Sequence, residues 1–145
     1  MASFNDAIDA LITLLETNPA LTAFSLAKWQ KRITVLAVYK DRLEVHDSEL
    51  PLIMIVRPQV TPSYLENKVY GGHVVSLTYG FLQNDKLKGQ PEAIEFEEKI
   101  TDALLLDPSL GGVTENVTPG GTVVDAGRNH PRYFGVKSVD VMHKR

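Results

Sequence analysis

Histidine and acidic side chains are the residues of this chain best suited to hold a metal ion, and one stretch brings them together. His46 lies among four acidic residues, Asp41, Glu44, Asp47 and Glu49. Imidazole and carboxylate groups together form a donor set that divalent metals accept. The other histidines stand at 73, 130 and 143, and no two histidines are three or four residues apart. A solvated acidic loop explains the cluster more simply, so we predict no metal and no other cofactor.

Sequence motifs for a catalytic nucleophile or a bound phosphate are missing. The chain has no cysteine, which excludes disulfides, thiolate zinc sites and a cysteine nucleophile. It contains no Gly-x-Ser-x-Gly elbow, no P-loop and no dinucleotide fingerprint. Glu95 and Glu98 share a helix face at three-residue spacing, but such acids are more often solvated or part of a partner surface. The sequence therefore predicts a protein that is not an enzyme.

Charge is unevenly distributed along the chain, whose formal net charge is −3. Residues 92–102 contain five acids and one lysine, whereas residues 128–145 contain five basic residues and one aspartate. A net acidic chain argues against a nucleic-acid-binding domain. The acidic helix face and the basic C-terminal segment could meet between copies, in a head-to-tail contact of the kind that closes rings. The same charges could instead pair within one chain.

Length and hydropathy favour one domain spanning residues 1–145. The composition is 43% hydrophobic and 23% charged, which is close to the average for globular proteins and sufficient for one core. The N-terminal residues lack the basic and apolar regions of a signal peptide. No apolar run approaches the ~18 residues that a membrane-spanning helix needs, so we predict no membrane partner.

Hydrophobic periodicity then predicts the elements that would position these residues. The first half should contain a helix from Phe4 to the Asn18-Pro19 break, a weak second helix over Ala20–Trp29, and strands over Ile33–Tyr39, Leu43–Val45 and Leu52–Arg57. Leu52–Arg57 is apolar on both faces, which predicts a central strand.

The second half should contain a strand over Val75–Phe81, a helix from Gln90-Pro91 to Asp107-Pro108 with its acids facing outward, and a strand over Tyr133–Met142. We read Gly71-Gly72 and Gly120-Gly121 as turn positions with positive φ. This order indicates an α+β fold, a mainly antiparallel central sheet with two long helices packed on one face.

The polar stretch Gln59–Gly72 is predicted to be a protruding loop, because it is too long for a tight turn. Loops of this length in compact domains are usually functional or disordered, and tyrosine is enriched at binding surfaces. We therefore expect this loop and the two charged surfaces to bind partners. The candidate interface residues are Arg57, Tyr64, Asn67, Lys68, Tyr70, Glu95, Glu98, Arg128 and Arg132.

Two segments resemble small tail-assembly proteins of tailed bacteriophages. Residues 100–113, ITDALLLDPSLGGV, are similar to the helix end and "ADPTLGG" turn of those proteins, and residues 46–56, HDSELPLIMIV, are similar to the start of their central sheet. The order of helices and strands also matches. The chain most resembles the tail terminator family, whose members include minor tail protein U and other tail completion or head–tail joining proteins.

The resemblance implies a structural virion protein, made in the host bacterial cytoplasm and located in the tail or neck. Such a protein would form a homohexameric ring on the tail tube protein, end tube polymerisation and present a surface to the head connector or stopper. In contractile tails it would also meet the sheath. Six copies at −3 each carry about −18, so DNA would pass through without being gripped.

Three other functions stay open on the sequence. One is another phage neck component, a stopper or adaptor. A second is a small-ligand-binding domain, or an enzyme without one of the motifs above, which a pocket lined by His73, Tyr79 and convergent carboxylates would favour. A third is a nucleic-acid adaptor that uses the basic C-terminal segment.

Overall fold

The computed structural model describes residues 4–37, 44–65, 68–106, 109–110, 116–125, 127 and 130–144. Three helices and five strands make up this part of the chain. In order they are α1 Phe4–Thr17, α2 Pro19–Trp29, β1 Thr34–Leu36, a 3-10 turn Asp47–Glu49, β2 Leu52–Leu65, β3 Lys68–Leu82, α3 Lys86–Leu106, β4 Asn116–Val124 and β5 Arg132–Lys144.

The five strands form one sheet in the order β1-β2-β3-β5-β4. β1 is parallel to β2, and the other three pairings are antiparallel. The predicted α+β class with a mainly antiparallel sheet is thus confirmed. The central position predicted for Leu52–Arg57 is also confirmed, because β2 lies between β1 and β3. Residues 52–55, at the start of β2, are at most 2% exposed.

One face of the sheet packs against all three helices. The core there joins Leu11 of α1, Phe24 of α2 and Phe96 of α3 to strand residues such as Leu77 and Phe81. Phe96 is fully buried, and its ring lies 5–6 Å from the rings of its four aromatic neighbours, Phe24, Trp29, Tyr79 and Phe81. The prediction of two helices on this face was therefore incomplete, since α2 also contributes buried side chains.

The opposite face of the sheet carries a smaller apolar cluster. Val45 and Leu50, from the segment before β2, pack with Leu52, Met54 and Phe134. Further along the same face Val136 is 42% exposed and Val123 is 75% exposed. The described part of the chain thus covers this face at one end and leaves valines exposed at the other.

The helix boundaries follow from local capping chemistry. The Asn18-Pro19 break ends α1 as predicted, and it also starts α2, because the Asn18 side chain accepts a hydrogen bond of 2.9 Å from the Leu21 N–H. The predicted start of the last helix at Gln90-Pro91 was wrong. The helix begins at Lys86, where the Asp85 carboxylate accepts from the Leu87 N–H at 2.9 Å.

Pro91 consequently lies inside α3. A proline in this position leaves the carbonyl four residues earlier without its helical partner. That residue is Leu87, whose side chain is 87% exposed, so the proline falls on the outer side of the helix. An exposed site of this kind lets water satisfy the free carbonyl.

The prediction of a loop over Gln59–Gly72 was wrong. β2 and β3 form a long hairpin, and their pairing continues to Leu65 opposite Lys68. Gly71 and Gly72 lie in β3, not in a turn. Residues 59–65 of the stretch pair with residues 68–74 of β3, and β5 pairs with its last three residues, from Tyr70 opposite Lys144 to Gly72 opposite Met142.

β4 was not predicted from the sequence. Its proline and its Gly120-Gly121 pair suggested a turn, yet both glycines lie inside the strand. The pairing register with β5 shifts between Pro119 and Thr122, which is a bulge of the kind that accommodates proline and glycine in a strand. Neither glycine is among the described residues with positive φ.

The first strand is shorter than predicted. Of the described residues in Ile33–Tyr39, Thr34–Leu36 form β1, while Val38 and Tyr39 lie outside the described residues. Of Leu43–Val45, Val45 is not in a strand, and Leu43 lies outside the described residues.

No single described helix is long and apolar enough to cross a membrane. The helices α1 and α2 pass that test of length and composition only as a pair, and the pair is bent by 53°.

Candidate functional site

A buried ion pair joins α3 to β5. Lys137 is 2% exposed, and its ammonium donates to Glu97 Oε1 at 2.6 Å and to the Gly120 carbonyl at 3.0 Å. Thr101 and Thr122 donate to the same carboxylate oxygen at 2.9 and 3.3 Å. Lys137 belongs to the basic segment predicted to bind another copy. The structure places it instead in a contact within the chain, so its charge is already satisfied.

The pKa of Glu97 reflects this environment. Burial alone would raise the pKa of Glu97. Hydrogen bonds from Lys137 and Thr101, the charge of Lys137 and the hydrogen bond from Thr122 outweigh burial, so the pKa lies below that of an ordinary glutamate. Glu97 is therefore ionised near neutral pH and serves as the acceptor that holds Lys137 in place.

Tyr79 lies close to this pair but is sealed in the core. Its side chain is fully buried, and its hydroxyl has no hydrogen-bond partner among the residues that the structure describes. Burial, together with the negative charges of Glu97 and Asp125, raises the pKa of Tyr79 well above its usual value. The Tyr79 ring packs tightly on Gly135, since a Cβ at residue 135 would stand 2.4 Å from the tyrosine Cζ and Oη atoms. Because no part of this side chain is exposed, Tyr79 does not present a ligand-binding surface.

A second buried carboxylate belongs to the acidic stretch of α3. Glu92 is 6% exposed, and its Oε1 accepts from Trp29 Nε1 at 3.2 Å and from Gln83 Nε2 at 2.8 Å. The prediction that the acids all face outward was thus wrong for Glu92 and Glu97. Glu92 ties α2 and the end of β3 to α3, and the open cleft above it measures about 400 Å³.

Arg132 was predicted to be an interface residue, and the structure shows it in contacts within the chain. Its guanidinium binds Asp47 Oδ1, with Nε at 2.8 Å and Nη2 at 2.6 Å, and Nη1 donates to the Val45 carbonyl at 2.7 Å. These contacts attach the start of β5 to the segment that covers the smaller apolar cluster. Glu95, another predicted interface residue, forms an ion pair of 3.6 Å with Lys28 of α2.

The remaining predicted interface residues divide into three groups. Glu98 is exposed on α3. Asn67 and Arg128 lie outside the described residues, while Arg57, Tyr64, Lys68 and Tyr70 belong to the β2–β3 hairpin. The seven predicted residues that the structure describes thus lie on three different parts of the fold: α3, β5 and the β2–β3 hairpin.

The cluster around His46 is organised by hydrogen bonds and not by a metal-like geometry. The His46 N–H donates to Glu49 Oε1 at 3.1 Å, and Asp47 is engaged by Arg132. Among the residues that the structure describes, no group of three or more His, Asp or Glu side chains could hold a metal ion. Asp41 is outside that range.

Two free backbone edges are the feature that sequence reasoning missed. β4 pairs with β5 on one side, and no described strand lies on its other side. At the opposite edge of the sheet, β1 pairs with β2 only at Leu52–Met54. Residues 55–65 of β2 therefore pair with β3 on one side and have no described strand on the other. Backbone N–H and C=O groups along such edges are available to a further strand. The Val-Thr-Pro-Gly-Gly-Thr-Val-Val run suggested a turn, although its β-branched residues were a signal for a strand.

Neither a scan against protein-family models nor a search of curated proteins finds a match for this chain.

Proposed function

We propose that this protein is a structural component of a bacteriophage tail, a terminator that forms a ring on the end of the tail tube and stops its polymerisation. The observation that carries the proposal is the sheet, in which β4 and the part of β2 from Ile55 onward have no described strand on their outer sides. β2 has 14 residues and α3 has 21, so the strand is roughly 46 Å long and the helix roughly 32 Å. Long strands without a described neighbour on one side offer backbone for assembly with other subunits.

The chemistry of the described side chains agrees with an assembly role. The buried carboxylates and the buried lysine are held by partners within the chain, and Tyr79 is sealed from solvent. These groups stabilise the packing of helices on the sheet. They do not converge on an exposed position where a substrate could react.

The resemblance to tail terminators supports the same function. In the similar segment 100–113, α3 ends at Leu106 and Leu110 is buried in the main core with a φ of 48°. A left-handed backbone is uncommon for leucine. Burial of Leu110 anchors this segment on the main core, which supports a structural role for the motif.

Tube length is the decisive measurement. The tube protein encoded with this chain is polymerised alone, with this protein, and with an unrelated acidic protein of similar size as the control. Electron microscopy of the tubes should show shorter tubes with a ring at one end when this protein is present. Tubes of unchanged length, with no protein at their ends, would contradict the proposal. Binding to the head connector without any effect on tube length would assign the chain to the stoppers or adaptors.

A further inference from the structure

We propose that copies of this chain join by extending one another's sheets, with β4 of one copy pairing along residues 55–61 of β2 in the next. This inference rests on the proposed ring and specifies the contact that would build it. The partner is a second copy of this chain, bound through main-chain hydrogen bonds between two strand edges.

The outer edge of β4 lacks the charges that usually protect an edge strand. Asn116–Val124 contains no charged residue, and Val123 and Val124 are 75% and 48% exposed. Soluble proteins usually guard an edge of this kind with lysine, proline or a bulge, because bare edges recruit other strands. Here the only such devices are Pro119 and the bulge beside it, which leaves Asn116–Thr118 and Thr122–Val124 open on either side.

The two free edges match in position along the sheet. Following the pairings across β5 and β3, Thr122 stands level with Ile55, Thr118 with Gln59, and Asn116 with Thr61. The free edge of β2 starts at Ile55, just after the three residues that β1 covers. A neighbouring β4 would therefore meet, over the same span of the sheet and without a shift along the strands, a stretch of β2 with no described strand on its outer side.

The irregularities of the two edges lie close together. The register of β2 shifts between Val56 and Gln59, a step that contains Pro58, and the register of β4 shifts between Pro119 and Thr122. The β2 shift is level with Val75, and the β4 shift is one residue pair away, level with the Ser76–Ser138 pair. Each edge thus has a proline, which has no N–H to donate, near the same height, so the pairing between copies would be interrupted at one place and not at two.

Strand direction favours the contact as well. β4 runs opposite to β2, because three antiparallel pairings separate them in the sheet. A rotation about an axis parallel to the strands, which relates one copy to the next, does not change the direction of any strand. β4 would therefore pair with β2 of the next copy in antiparallel fashion, which is slightly more stable per residue than parallel pairing. The contact joins opposite edges of one sheet and is heterologous, which is the type that propagates into a closed ring.

Cross-linking between engineered cysteines tests the contact, and the absence of native cysteine makes the background clean. A T118C/Q59C double variant places one thiol on each edge at the same level. It is treated with a short bismaleimide cross-linker, alone and after mixing with the tube protein. We expect most of the protein to shift from the monomer band into a ladder that ends at the ring size. Each single variant should stop at dimers.

A T118C/D9C variant is the matched control, because Asp9 is exposed on α1, away from both edges. Circular dichroism and the midpoint of thermal unfolding show that each variant is folded. Hydrogen exchange on the unmodified protein gives an independent readout, since amides of residues 55–61 and 116–122 should exchange more slowly in the assembled ring while those of α1 do not change.

The outcomes separate the two proposals. A ring seen by light scattering that neither cross-links through T118C/Q59C nor protects the two edges would overturn the edge contact and leave the terminator function standing. A protein that stays monomeric alone and with the tube protein, and never alters tube length, would overturn both.

Discussion

On the helix-covered face of the sheet, Lys137 and Glu92 find partners inside the chain, whereas along β4 no described strand takes up the outer backbone groups. Lys137 is held by Glu97 and Gly120, and Glu92 by Trp29 and Gln83. β4, in contrast, has exposed valines and no described strand on its outer side. Lys137, Glu95 and Arg132, whose charges suggested contacts with another copy, form contacts within the chain.

The largest expected difference between the two regions comes from removing apolar side chains. Phe96→Ala should lower the free energy of unfolding by about 3–5 kcal/mol, because a fully buried aromatic ring is lost and a cavity remains. Val123→Ala, at a position that is 75% exposed, should change it by less than about 0.5 kcal/mol. Urea unfolding followed by circular dichroism measures both. Similar losses for the two variants would show that the edge is as closely packed as the core.

Breaking the buried ion pair should have the next largest effect and should change the pH dependence. Glu97→Gln should cost about 2–3 kcal/mol at pH 7, less than a fully buried pair would, because glutamine can still accept a hydrogen bond. The folded-state pKa of Glu97 is lowered, so its contribution is present above the unfolded pKa, ordinarily about 4.3, and is lost as the pH falls through the folded value.

Thermal unfolding between pH 3 and pH 7 checks this sign. The unmodified protein should lose stability in the acid range, and the Glu97→Gln variant should lose less over the same range. Glu98→Gln is the matched control, since Glu98 is exposed on the same helix, and its curve should follow that of the unmodified protein. Parallel curves for the unmodified and Glu97→Gln proteins would contradict the assigned role of Glu97.

Two glycine substitutions in neighbouring strands give the finest comparison. Gly135→Ala should destabilise the protein by about 1–3 kcal/mol, because the new Cβ would lie 2.4 Å from the Tyr79 ring and force the packing apart. Gly121→Ala should be nearly neutral, since no atom of the described residues lies within 4 Å of the position that its new Cβ would take. Thermal unfolding of the pair measures the difference. Equal effects would mean that β4 is packed as tightly as β5.

The elements that sequence predicted well depend on short-range signals. The first helix ends at Asn18-Pro19 because that pair acts locally on both sides of the break. β2 was identified as a central strand because Leu52–Ile55 are apolar on both faces, and all four are buried. The alternation in Val75–Phe81 placed β3 for the same reason.

The predicted site was recovered less well than the fold. The acidic stretch of α3 was recognised, but its sequence does not reveal that Glu92 and Glu97 turn toward Trp29 and Lys137. Those partners lie 63 and 40 residues away along the chain. Arg132 likewise finds Asp47 across 85 residues. Local periodicity cannot report contacts at such separations.

The sequence by itself determined the fold class, the main helices and the inner strands, because helical caps, prolines and hydrophobic periodicity act over a few residues. Tertiary structure decided that Gln59–Gly72 extends as strands and that the proline- and glycine-containing run 116–124 becomes β4. The first segment is extended because its two halves pair with each other in the β2–β3 hairpin, and the second because it pairs with β5. Strand pairing is a long-range interaction, so only the folded chain could show which edges of the sheet are left free.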